Sequence, residues 1–258
     1  MSDTSLQADG VASATSTEIP PRRRDTRTFW RLLLAIVAPL PMLCMGIVYV
    51  IKPFEGDAFL PDTAAAINAR LRLYEVTMWL GLPFLVGLIP AVIALAWVTR
   101  RRTPVLTTVG AVWTLLGCLG AFPLLVPDDL LAYLAVTKGL DVATVAALAE
   151  AWWALPVTGA AALLFISGIV VGLPLLGIAL WRSSAAPRWM AIALIIGGVT
   201  HPFLVNHVVA GIGLLVAGIG FAGAARALLR MTNDEFDLPP VTQPVVSPHP
   251  LSVERKSS

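Results

Sequence analysis

From Trp189 to Ala225 the chain runs 37 residues without a formally charged side chain, bounded by Arg188 and Arg226. As a single α-helix this stretch would be about 56 Å long, far beyond the roughly 30 Å of a hydrocarbon core. As two spans it is slightly short. Arginines at both ends belong on the cytoplasmic side of a membrane, so the chain must cross and return. The return can lie only at the polar interruption His201-Pro202-Phe203-Leu204-Val205-Asn206-His207. The stretch predicts a tight hairpin, spans 189–203 and 207–229, with its tip on the outer face and the other spans bundled around it.

The rest of the chain fits the same solvent. Of 258 residues, 57% are hydrophobic and 13% charged, against about 25% charged in an ordinary soluble domain. The net charge of +2 is too small to point to nucleic acid, and the basic residues sit in loops as topology signals. Cys44 and Cys118 both fall within predicted spans, where a disulfide or a thiolate metal site is not expected and apolar thiols are.

Residues 1–28 are polar and then basic (Arg22, Arg23, Arg24, Arg27) and read as a disordered cytoplasmic tail. Span one covers 32–51. It has a basic flank but is too long for a signal-peptide core and lacks a cleavage site, so it reads as a retained anchor, kinked at Pro39 and Pro41. In the first external loop Asp62 suits an N-cap, with a helix over Thr63–Tyr74 running into span two. That span covers 76–98, is interrupted by Pro83 and Pro90, and ends at Arg100-Arg101-Arg102. Span three covers 104–126. The second external segment carries Asp128, Asp129, Asp141 and Glu150 against Lys138, with an interfacial helix over Asp141–Ala154 that places Trp152 and Trp153 at headgroup level. Span four covers 156–181. Residues 232–258, acidic and then proline-rich, read as a second disordered tail.

Cytoplasmic segments then hold 14 of the 18 Lys and Arg residues. Lys52, Arg70, Arg72 and Lys138 are the four outside. The fold expected is an all-α polytopic membrane protein: six transmembrane helices in three hairpins over 29–231, small external helices, and both termini in the cytoplasm. A weak echo runs through it, since Val86-Gly87-Leu88 and Ile93-Ala94-Leu95 recur 85 positions later as Val171-Gly172-Leu173 and Ile178-Ala179-Leu180. Parallel duplication and chance similarity both account for it.

No Asp, Glu, Lys or Arg lies at bilayer depth in these spans, which argues against ion-coupled transport, proton pumping and voltage sensing. Binding of a neutral solute between proline-kinked helices stays open. The polar cluster His201, Asn206 and His207 at the hairpin tip is the one candidate outer site. It could bind a metal or sense pH, or simply close a turn in which Pro202 stops one helix and Asn206 caps the next. The histidine spacing matches no metal motif, and no cofactor is expected. Small residues mark packing faces: Gly168 and Gly172 in span four, and Ala210, Gly213, Ala217, Gly220 and Ala224 in span six. Such faces also offer a route to homo- or hetero-oligomers.

Two resemblances follow from these residues. Ser167-Gly168 and His207 resemble the serine in span four and histidine in span six of rhomboid-type intramembrane proteases. Phe165, however, stands where that family's motif needs a glycine, span two supplies no His or Asn, and Ser167 lies too deep for His207 to activate it. The segment Gly177-Ile178-Ala179-Leu180-Trp181-Arg182-Ser183-Ser184-Ala185-Ala186-Pro187-Arg188-Trp189 resembles a span-turn-span signature of uncharacterised multi-pass integral membrane proteins of high-GC bacteria. That resemblance implies three helical hairpins with longer external loops, and no activity. The expectation is a non-enzymatic accessory, sensing or assembly component of the cytoplasmic membrane, with the lipid bilayer as its partner. The alternatives are a carrier or channel for a small neutral or lipophilic solute, and a membrane enzyme or metal site at His201/His207. A polar cavity reaching mid-bilayer between spans two and four would favour the carrier. His201 and His207 converging with Asp128, Asp129 or Glu150 would favour the enzyme or metal site, and a packed apolar interior with neither would leave the accessory role.

Overall fold

The computed structural model describes residues 25–54, 59–121, 128–200 and 206–237. Every regular element among them is helical. Helices α1 (Arg27–Val37) and α2 (Leu40–Ile51) are separated by a turn at Ala38-Pro39, where the proline was expected to bend span one. Then come α3 (Leu60–Ala69), α4 (Leu71–Thr99), α5 (Pro104–Gly120), α6 (Asp128–Lys138) and α7 (Val142–Trp153). Helix α8 (Pro156–Ser167) passes through one π turn, Gly168–Gly172, into α9 (Leu173–Ser183). The chain closes with α10 (Arg188–Thr200), α11 (His207–Arg230) and α12 (Asn233–Asp237).

Four of these stretches are long and apolar enough to cross a membrane: Arg27–Ile51, Leu71–Thr99, Pro156–Ser183 and His207–Arg230. The other two expected spans form shorter described helices, 17 residues in α5 and 13 in α10. Their expected continuations, 122–126 and 201–203, lie outside the described residues. Helix α10 is described as far as Thr200 and α11 starts at His207; residues 201–205 of the expected hairpin tip lie outside the described residues. Helix α11 is the most buried of the four long spans and packs against α10, α2, α1 and α4.

The side-chain distribution is compatible with a bundle in lipid. Ala38, Ala91, Ala94, Ala191 and Ala224 are fully buried, whereas Trp79, Val105 and Leu163 are 75, 77 and 70% exposed. Small residues let backbones approach, and large apolar ones face outward where the solvent is hydrocarbon. In water such a surface would be an extended sticky patch.

Three local expectations are corrected. Phe59, not Asp62, occupies the N-cap of α3, and Asp62 sits in the first turn, where its charge still faces the positive end of the helix dipole. The helix does not run into span two, because Arg70 at φ −136°, ψ 44° breaks it. Pro83 and Pro90 lie inside α4 without ending it. Each removes one N–H and frees a carbonyl four residues back, which a helix packed among neighbours tolerates.

The bundle has two different ends. At the cap end α3, α6 and α7 form a separate small core around Leu60, Ile67, Tyr74, Ala132 and Ala149. Asp141 caps α7 by accepting from the backbone N–H and hydroxyl of Thr144, which holds its carboxyl below the usual range. At the basic end Arg102 donates to the Ser183 carbonyl at 2.8 Å, bringing together the turns after spans two and four. The ordered chain runs past 231, where the sequence would end the bundle. Thr232 and Glu235 form a reciprocal capping box, each side chain accepting from the other's backbone N–H. Phe236 is buried with its ring 5.1 Å from that of Trp97. Its carbonyl accepts from Trp97 Nε1 and Arg100 Nη2, both at 3.0 Å. Arg27 reaches Asp25, Asp234 and Asp237, and Asn233 donates to Asp25 and Thr28. Residues 1–24 and 238–258 of the expected tails lie outside the described residues.

This clamp is expected to be acid-labile. The Arg27 side chain and backbone hold the Asp25 carboxyl at about 2, below its ordinary 3.8, and Thr232 likewise lowers Glu235. A depressed carboxylate stabilises the folded arrangement above its ordinary value and loses that contribution as pH falls through the folded one. Protection factors for hydrogen exchange across 233–237 should be high near neutrality and fall between about pH 4 and pH 2. The Phe236→Ala variant should lack that protection at every pH. Equal protection of α12 in both proteins would remove its docking.

Candidate functional site

The outer corner expected from the sequence is only partly described. Asn206 caps α11, its Oδ1 accepting from the Val209 N–H at 3.1 Å. His207 is the first residue of that helix and is half-buried. His201 lies outside the described residues. Of the acidic groups considered as its neighbours, Asp129 is engaged by Lys52 and Glu150 is exposed on α7. Among the described residues no group of three or more His, Cys, Asp or Glu is placed to hold a metal. The Ser167 hydroxyl donates to the Leu164 carbonyl at 2.9 Å. Cys44 and Cys118 are half-buried free thiols.

The small-residue faces are covered within the chain. Ala210, Gly213, Ala217, Gly220 and Ala224 are all buried. A Cβ on Gly220 would lie 2.8 Å from the Leu194 Cα of α10. Gly168 meets Gly117 of α5 backbone to backbone, and Gly172 meets Thr114. Gly117 was not singled out in the sequence. Gly87 abuts Pro41 of α2, so both glycines of the 85-residue echo face the preceding span. The second sits in a π turn and the first in regular α-helix, which limits the likeness to packing position.

The interior itself is not filled. A cavity of about 420 Å³ lies among α2, α4, the α8–α9 span, α10 and α11. Two helical stripes make its walls. On α2 they are Met42, Met45, Val48 and Tyr49, with Lys52 just past its C-terminus. On α4 they are Tyr74, Thr77, Met78, Gly81, Phe84 and Leu85, which is the spacing of one helix face. Phe165, Ile169 and Leu173 complete the wall from the fourth span, straddling the π turn. Gly81 has open space where a side chain would begin. Leu85 is 55% exposed on the bundle surface.

Chemically the cavity is an apolar shaft with one polar end. There Lys52 Nζ lies 2.9 Å from Asp129 Oδ2, and the two side chains are only 14 and 13% exposed. The ammonium stands 5.3 Å from the Tyr49 ring centroid and 5.1 Å from that of Phe54, within cation–π range. The Tyr74 phenol sits against the Asp129 carboxylate, and its ring stacks at 5.4 Å on Tyr133. Thr77 spends its hydroxyl on the Tyr74 carbonyl at 2.7 Å. Lys52 follows the C-terminus of α2, the helix end whose dipole favours a cation. The class of protein defined is an all-helical bundle with four helices long and apolar enough to cross a membrane and a partly open cavity that has a nearly dry ion pair at one end. Comparison with protein-family models, curated proteins and solved structures finds no match.

Proposed function

We propose that this is an integral membrane protein that holds a small lipophilic solute inside its bundle and carries it within or across the cytoplasmic membrane. The observation behind this is the 420 Å³ cavity, within the roughly 300–1,000 Å³ of sites that take one small organic ligand. Its walls carry flexible thioethers and aromatic rings, which adapt to apolar shapes. In the topology we propose with it, the chain crosses six times in three hairpins. The basic end and both termini face the cytoplasm, as positive-inside charge bias requires. We place this reading ahead of an accessory, sensing or assembly role on the strength of the cavity alone. It involves no covalent chemistry.

The test exploits Gly81 and Gly159, neither of which has an atom within 4 Å of a Cβ position. Gly81→Phe intrudes on the cavity, whereas Gly159→Phe is the control on α8. Purified wild type and Gly159→Phe should retain a lipophile detectable by native mass spectrometry, and should take up a hydrophobic fluorophore such as dansyl undecanoate. The Gly81→Phe variant should lose at least about ten-fold in affinity at unchanged melting temperature. Equal uptake by all three proteins would mean that the cavity is not the binding chamber.

A further inference from the structure

The charged end of the cavity restricts what can occupy it. We infer that the occupant is a single-chain amphiphile with an uncharged, hydrogen-bonding head, such as a long-chain alcohol or a monoacylglycerol. Its head lies at Lys52–Asp129 and its chain runs along Met45, Phe84, Phe165 and Ile169. This inference rests on the cavity being a binding chamber.

Charge balance carries it. The Lys52–Asp129 pair is neutral as a unit and nearly dry. An anionic head would leave a net negative charge beside the apolar shaft and a cationic head a net positive one. Either costs more than the pair alone, because an uncompensated charge in that setting loses hydration without recovering it. A hydroxyl adds no charge. It can donate to the carboxylate, which has lone pairs beyond the one facing Lys52, and accept from the ammonium, which has three N–H donors for one carboxylate. Size points the same way. About 420 Å³ admits one ligand of drug-like size and is far too small for a two-chain phospholipid. The walls of Met42, Met45, Phe84, Phe165, Ile169 and Leu173 are apolar, so every polar group of the ligand must stay at the Lys52–Asp129 end.

The experiment is equilibrium binding of radiolabelled dodecanol to the full-length protein in nanodiscs. Competitors are 1-lauroylglycerol, laurate and dodecylamine, which share one chain length and differ in head charge. Wild type should bind dodecanol and 1-lauroylglycerol, with laurate and dodecylamine at least about ten-fold weaker at neutral pH. Which neutral ligand is tighter separates a simple alcohol from a glyceride as the source of the head. In Asp129→Asn the remaining ammonium should invert the order, with laurate becoming the best competitor. In Lys52→Met the remaining carboxylate should favour dodecylamine. The double variant Lys52→Met/Asp129→Leu, which has no buried charge to misfold around, should bind the neutral ligands without the hydroxyl's contribution and more weakly. Wild type binding all four heads equally, or laurate best, would overturn the inference while leaving the chamber intact. Absence of binding by every ligand, unchanged by Gly81→Phe, would remove the chamber as well.

Discussion

Gly168→Leu is expected to disrupt the bundle, and Gly197→Leu to do so as severely. At position 168 a Cβ would fall 2.6 Å from the Gly117 Cα and 3.2 Å from the Trp113 carbonyl. At position 197 it would fall 2.5 Å from both the Ala217 N and the Gly213 O. These obstacles are backbone atoms, so no rotamer change relieves them and the helices must part. Overpacking against side chains costs about 1–3 kcal/mol, and separating two helices of a membrane bundle also forfeits the dispersion contacts that hold them in lipid. Thermal denaturation in a mild detergent should show a large loss of melting temperature for both. Gly81→Leu and Gly159→Leu, which meet open space, should melt like the wild type. If Gly168→Leu melted with these controls, the close approach of α5 to the fourth span would be wrong.

Removing one partner of the ion pair should be nearly as damaging. Asp129→Leu leaves the Lys52 ammonium, 14% exposed, facing aromatic rings and a cavity wall. Stranding a buried charge in this way costs about 3–5 kcal/mol. Lys52→Met strands the carboxylate to the same effect. The double variant Lys52→Met/Asp129→Leu should recover most of the stability, because apolar replacements of similar volume avoid the desolvation cost. The double-mutant cycle is read from melting curves, and the coupling should change little between low and high salt, since a nearly dry pair is poorly screened. Additive losses in the double variant would mean that the two groups do not meet.

The helices were legible because lipid imposes a simple rule on sequence. Apolar runs mark the spans, and arginines and prolines mark their ends. Arg102, Arg188 and Pro104 stand where that rule puts them, and Asn206 and Asp141 cap the helices that follow. The π turn was not legible, because Gly168–Gly172 has the composition of any small-residue packing site. Nor was the tolerance of Pro83 and Pro90 in α4, which depends on neighbours supplied by the fold. The cavity was hidden for a deeper reason. The stripe Met42, Met45, Tyr49 is what a packed interior also requires, since filled and hollow cores both turn apolar side chains inward. Only the distances between stripes on different helices separate the two. Lys52 follows α2 and Asp129 lies in α6, far apart in the chain, and nothing local to either residue announces that they pair.

The docking of α12 has a consequence for the connectivity of the chain. Arg27 shares ion pairs with Asp234 and Asp237, so the first and last described helices begin and end in one small region. The turn at Ser183–Pro187 is anchored to the same end of the bundle by Arg102. A short linker could therefore join 237 to 25, and new ends could be opened at Ser184, without moving any polar segment to the opposite face of the bundle. Such a circularly permuted protein should keep the bundle and its cavity, because the order in which the hairpins are strung together is separable from how they pack.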